Sequence, residues 1–377
     1  MPKGQPIDAH IRLTHEPELN KYFKAAIKAK ASDLHLKVGQ VPRLRIYGTL
    51  KNTTGEQMTE QQMEKLVFEI LSEAQKEFFL AEGAIDLAYD VSEEDRFRVN
   101  IFRQRGMISL SGRWITSNIP PFEALHLPPI VEKIAETHEG LVLVTGPTGC
   151  GKTTTIASMI DYVNRTRACH IITVEDPIEY LHRDQKAIVS QREIGIDVPD
   201  YEDALRSLMR QDPDVVVIGE MRDKDTIVAG MRAAETGHMV FGTMHSANAA
   251  QTVQRLLDLF PSQERDLARK TFALTCRAVI SQELLPGLKR GVERIPAVEI
   301  LIVNAIVRKL ILEEREADLP SVIRACQHEG MQDFTASLCE LVNKEYIDIK
   351  KAYEYAPNVE ELKMAMKGIR SAASGIL

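Results

Sequence analysis

The sequence predicts an α/β chain in two parts, a small α+β domain followed by a larger domain built on a parallel sheet. Three observations predict it. Strand-like runs before residue 116 follow one another in hairpin order, whereas beyond residue 130 they alternate with helical periodicity. Between the two lies a stretch with Pro120, Pro121, Pro128 and Pro129 and little periodicity. A Gly-x-x-x-x-Gly-Lys-Thr run at Gly146–Thr153 stands between an apolar run and a helical pattern.

The elements follow in order. Residues 17–31 carry Leu19, Phe23, Ala26 and Ile27 on one helical face. Asp33–Val38 and Arg43–Ile46 read as strands, with Gly39 and Pro42 in the turn between them. One long helix is expected over 59–82, opening at Thr59 with Gln62 three residues on as a capping pair. Ile85–Val91, Arg96–Phe102 and Met107–Ile115 complete an antiparallel set. The expected division is therefore a first domain at 1–116, a semi-rigid linker at 117–129 and a second domain at 130–377. In the second, strands at Leu141–Thr145, His170–Val174, Val215–Ile218 and Met239–Thr243 alternate with helices at 152–164, 201–211 and 223–235. That alternation calls for right-handed crossovers. A C-terminal helical extension follows, with helices at 250–259, 261–275, 305–316, 319–329, 333–343 and 349–355. A hairpin of Val279–Leu285 and Pro296–Ile302 interrupts it.

Composition narrows the classes. With 377 residues, 44% hydrophobic and 27% charged, the chain has the make-up of a soluble globular protein able to bury two cores. A net charge of −7 argues against a dedicated nucleic-acid binder. The five cysteines are odd in number and show no Cys-x-x-Cys spacing, so neither a disulfide framework nor a zinc site is expected. No apolar run reaches eighteen residues, and the first eight residues lack the apolar core of a signal peptide. A cytoplasmic protein is the expectation.

The chemistry begins at the glycine-rich run. Leu141–Val144 is apolar enough for a buried parallel strand. Gly146, Gly149 and Gly151 let the backbone turn so that its N–H groups converge on a phosphate, with Pro147, Thr148, Cys150 and Thr154 completing the cradle. Lys152 can reach the β- and γ-phosphates and the Thr153 hydroxyl can ligate Mg²⁺. The helix that follows presents its positive end to the anion. This is a nucleotide phosphate site.

In an open parallel sheet, ligands sit beyond the carboxyl ends of the strands. The second strand is followed there by Glu175, Asp176 and Glu179, the third by Gly219-Glu220 and the fourth by His245. ATP hydrolysis needs cationic charge on the phosphates, a held Mg²⁺ and an oriented water. Glu220 ends an apolar run, where a carboxylate can orient or deprotonate that water. Glu175, Asp176 and Glu179 are candidates to hold the magnesium, and His245 to sense the γ-phosphate.

Four segments carry a family resemblance. The Gly146–Thr153 loop, Ile172–Glu179, Arg206–Arg222 and Thr236–His245 are similar, in order, to the Walker A, Asp-box, Walker B and His-box segments of secretion-superfamily ATPases. Ala31–Leu36, Arg96–Asn100 and Gly330–Gln332 resemble the PilT family of type IV pilus retraction ATPases. The resemblance implies a hexameric ring of subunits, each with a PAS-like N-terminal and a RecA-like ATPase domain, and ATP bound between the domains. By position it maps the family's arginines to Arg98, Arg113, Arg206 and Arg210. Strand alternation independently puts Arg113 on the face opposite Ile108, Leu110 and Trp114. The resemblance further implies an inner-membrane platform protein as partner, with a paralogue of the same family as a further one. The four-cysteine zinc module of the extension and type II secretion ATPases has no counterpart here. One departure stands in Ile306–Glu313, where Leu312 replaces the family's second arginine. Two other classes remain: a RecA-like hexameric helicase or DNA translocase, which needs a basic lumen, and a nucleotide-gated scaffold with negligible turnover.

Overall fold

The computed structural model describes residues 15–46, 48–92 and 95–369. Residues 1–8, the site of the signal-peptide reading, lie outside them. The chain divides into two compact units: residues up to 118 with 176–182 and 192–200, and residues 119–175, 183–191 and 201 onward.

The first unit contains α1 (Asn20–Lys28), β1 (Asp33–Lys37), β2 (Arg43–Ile46), β3 (Thr49–Asn52), α2 (Glu60–Glu69), α3 (Glu73–Glu82), β4 (Ala84–Asp90), β5 (Arg96–Gln104) and β6 (Met107–Ile115). Its six strands form an antiparallel sheet in the order β3-β2-β1-β6-β5-β4. Two meanders are thus joined by the long-range pairing of β1 with β6, which hairpin order alone does not supply. Phe23 of α1 packs on this sheet, its ring 4.3 Å from that of Phe97. The close approach explains Gly112 on β6, where a Cβ would lie 2.8 Å from the Phe23 ring.

The helix expected over 59–82 is two. Thr59 and Gln62 do form a reciprocal capping box, but a second one, Ser72 with Gln75, starts a new helix. Ile70 and Leu71 turn inward at the break, both buried. Apolar periodicity running through the break hides it from the sequence.

The second unit begins with α4 (Ile130–Ala135), β7 (Gly140–Thr145), α5 (Lys152–Thr166), β8 (His170–Glu175) and most of β9 (Ile188–Glu193), whose last two residues fall in the segment 192–200 of the first unit. It continues with α6 (Tyr201–Leu208), β10 (Val215–Ile218), α7 (Lys224–Glu235), β11 (Met239–Met244), α8 (Ala249–Asp258) and α9 (Arg265–Thr275). The hairpin is β12 (Cys276–Pro286) and β13 (Arg294–Ile302). Five helices end it: α10 (Ala305–Leu312), α11 (Leu319–Ala325), α12 (Phe334–Asn343), α13 (Ile349–Tyr355) and α14 (Val359–Met366).

Its sheet has seven strands in the order β13-β12-β7-β11-β10-β8-β9. Strands β12, β7, β11, β10 and β8 run parallel, and β13 returns antiparallel to β12. The hairpin expected among the C-terminal helices is therefore part of the main sheet, and β9 widens the other edge. Every residue of β7, β10 and β11 is buried, which is why these strands read as unbroken apolar runs. Phe122 and Leu127, from the proline-rich stretch, are buried in this unit's core. A separate apolar cluster, with Leu285, Ile295, Phe334, Leu338 and Leu362, joins the hairpin to the last helices. Among the described residues no helix is long and apolar enough to cross a membrane.

Candidate functional site

Beyond the end of β7 the chain turns through residues 146–151 and enters α5. Two of the glycines are sterically required. Gly146 has φ +144° and a Cβ there would meet the Gln282 carbonyl oxygen at 2.3 Å, while Gly151 has φ +93° at the helix cap. No side chain caps α5, so its first N–H groups face the turn of the loop. Lys152 is 8% exposed, and its Nζ donates to the carbonyls of Gly146 (3.0 Å) and Pro147 (3.1 Å), bridging the loop. Thr153 is half-buried at the second helical position. Burial pushes the Cys150 thiol up, so it stays protonated and acts as a small apolar filler.

The parallel register brings the other strand ends to the same edge. Ile218 of β10 pairs with Val174 of β8 on one side and Gly242 of β11 on the other. Thr145 of β7 pairs with Met244 of β11. Along that edge the tips run phosphate loop, His245, Glu220, Glu175. Glu220 holds the centre: its Oε1 lies 3.2 Å from His245 Nε2 and its Oε2 forms an ion pair with Arg222 Nε at 2.9 Å. The Gly219 carbonyl accepts from Thr243 Oγ1 at 2.6 Å, and the Met221 N–H donates to the Thr243 carbonyl, so the turn bearing Glu220 is tied to β11. Arg255 of α8 bonds the His245 carbonyl, fixing the neighbouring tip. Glu175 Oε1 accepts from Thr173 Oγ1 (2.6 Å) and Gln191 Nε2 (3.1 Å).

The donors on this edge are a hydroxyl and carboxylates. Such oxygens suit Mg²⁺, a hard cation that keeps much of its shell as water and phosphate oxygen. Among the described residues no three His, Cys, Asp or Glu converge.

The remaining candidates are spread out. Asp176 and Glu179 are exposed and belong to the segment 176–182 of the first unit. In the same unit Arg98 of β5 stands opposite Arg113 of β6. Arg113 is 73% exposed and its Nε donates to Asp33 Oδ1 at 2.8 Å, so the guanidinium is anchored on its own sheet. In the second unit Arg206 pairs with Glu202 (2.6 Å) and Asp203 (3.4 Å) on its own helix, and Arg210 is exposed in the turn after α6. Sequence reasoning did not find Arg222, Gln191 or Gln282. Arg222 stands two residues past Glu220, but nothing in that spacing says that its side chain turns back. The other two arrive from strands whose place in the sheet the sequence did not give.

Comparison with known proteins bears on what this edge does. Residues 125–370 match the family model described as type II/IV secretion system protein. The chain is 38% identical over 339 residues to the type IV pilus retraction ATPase PilT of Pseudomonas aeruginosa, covering 90% of this chain and 98% of that one. It is 39% identical to a twitching motility protein of Neisseria gonorrhoeae, covering 85% and 86%. Among solved structures it resembles a crystal structure of the pilus retraction motor PilT with bound ADP, with a TM-score of 0.83, 41% identity and coverage of 93% and 99%.

Proposed function

The chain belongs to the type II/IV secretion system protein family, and within it to the PilT family of type IV pilus retraction ATPases, and from that premise we propose that the edge from the phosphate loop to Glu175 hydrolyses ATP to drive pilus retraction. The observation that carries the reading is Glu220, held between His245 and Arg222 on the same strand edge as the phosphate loop. A carboxylate fixed in this way can orient the attacking water and take its proton. His245, beside Glu220, would couple that carboxylate to the γ-phosphate. Gly146 to Thr154 cradle the phosphates and Lys152 neutralises them. Mg²⁺, when bound, neutralises charge on the β- and γ-phosphate oxygens; Thr153 would hold it, with Glu175, Asp176 and Glu179 as further oxygen donors. Arg98, Arg113, Arg206 and Arg210 would add positive charge to the triphosphate.

The finer assignments belong to the same proposal. The mixed parallel sheet supports a RecA-like second domain, the antiparallel sheet a PAS-like first one. The working assembly is a homohexamer on the cytoplasmic face of the inner membrane, acting on a platform protein and promoting pilin disassembly. ATP and its loss shift the subunits between conformations, and that motion is the work. Leu312, 43% exposed at the end of α10 where the family carries arginine, favours a second reading as a paralogue working beside another retraction motor.

Deletion of the gene, scored for piliation and surface motility, tests the proposal. Hyperpiliated, non-motile cells are expected, bald cells would indicate extension, and motile cells with normal pili would contradict both.

A further inference from the structure

The phosphate loop is held from behind by a strand more than a hundred residues downstream. Strand β12 runs parallel to β7, with Ser281 beside Thr145 and their hydroxyls 2.8 Å apart. The next residue, Gln282, is 2% exposed. Its Nε2 donates to the Cys150 carbonyl at 2.7 Å, and its Oε1 accepts from Thr155 Oγ1 in the first turn of α5 at 2.9 Å. Both ends of the amide are therefore committed, one to the loop and one to the helix. Its backbone matters as well, since the Gln282 carbonyl is what excludes a side chain at Gly146. The peptide unit is planar and trans, so holding the Cys150 carbonyl toward Gln282 points the Gly151 N–H the opposite way.

We infer that Gln282 is a positioning residue for nucleotide binding, its side-chain amide setting the orientation of the Cys150–Gly151 peptide and locking the loop to α5. It acts through the loop, by its bonds to Cys150 and Thr155. The inference rests on the nucleotide reading of that loop. The charged groups at this corner are Lys152 of α5 and Glu283 of β12, both of which act on the Cys150 thiol.

Titration of the full-length protein with a fluorescent N-methylanthraniloyl ADP, at pH 8.5 and pH 6.0, tests it. Gln282→Met keeps the length of the side chain and offers neither contact, and the dissociation constant should rise about tenfold or more at both pH values. Gln282→Glu keeps the shape and the acceptor, but as a carboxylate it meets the Cys150 carbonyl with no proton between them. Burial favours its neutral form, which restores both contacts, so its deficit at pH 8.5 should shrink several-fold at pH 6.0. A residue that merely fills space would not produce that recovery. Equal affinity of Gln282→Met and wild type overturns the inference, as does a Gln282→Glu deficit undiminished at pH 6.0. If Gln282→Met does not fold, Thr155→Val removes the helix-side donor alone; weaker binding supports the clamp and unchanged binding overturns it. Failure of the wild type to bind the probe would instead overturn the nucleotide reading itself.

Discussion

Arg113 and Asp33 show how one residue's charge is set by its neighbour. Burial pushes the Asp33 carboxyl up, but the hydrogen bonds from Arg113 and Ser32 and the Arg113 charge outweigh it and hold it below the usual carboxylate range. A carboxylate depressed on folding adds stability above its unfolded pKa and loses it as pH falls through the folded value. Acid should therefore destabilise the first unit from about pH 4 downward, and Asp33→Asn should flatten that limb while being less stable at pH 7. Trp114, the chain's one tryptophan, lies on β6 of this unit, so its fluorescence follows the transition. Glu193 has the opposite sign. It is 1% exposed, and burial pushes it up to about 7 against the opposing charges of Arg96 and Arg98 and the backbone of Ile178. Its contribution is full below the unfolded value and lost as pH rises through about 7. Glu193→Gln mimics the protonated form, so the thermal midpoint should rise at pH 8 and change little at pH 5. An equal shift at both would contradict the buried acid.

Among the elements, the break between α2 and α3 is concealed in the sequence and explained by the second capping box. Ser72→Ala removes the acceptor for the Gln75 N–H and should cost about 1 kcal/mol, read by urea unfolding through Trp114. Strands with a fully buried environment were legible: Val215–Ile218 is an unbroken apolar run because both faces of β10 are covered. Met107–Ile115 was legible from its alternation, with Ile108, Leu110 and Trp114 on one face and Ser109, Ser111 and Arg113 on the other. Thr49–Asn52 was not, because all four residues of β3 are exposed and carry no alternation. Strand β9 escaped for a related reason, its polar Ser190-Gln-Arg-Glu193 lying at a sheet edge. The helix α14 is rich in Glu and Lys with Leu362 as its buried residue, too thin an apolar stripe to read. In the candidate site, residues that directly follow apolar runs were visible: the phosphate loop, Glu175, Glu220 and His245. What stayed hidden were partners set by tertiary register, namely Gln282 through β12 and Gln191 through β9.

For the whole molecule, two units have separate cores. The phosphate loop and the acids at the strand tips stand on buried parallel strands, a rigid platform on which a shared edge follows from register alone. The first unit carries Arg98 and Arg113 on an antiparallel sheet with its own core around Phe23 and Phe97. The reading as a motor requires that hydrolysis occur at that edge and that Glu220 be its water-orienting carboxylate. Phosphate release by Glu220→Gln, measured beside nucleotide binding in the same protein, tests this most directly. Binding within about threefold of wild type with turnover slowed at least about a hundredfold is the predicted result. Turnover at the wild-type rate would contradict it.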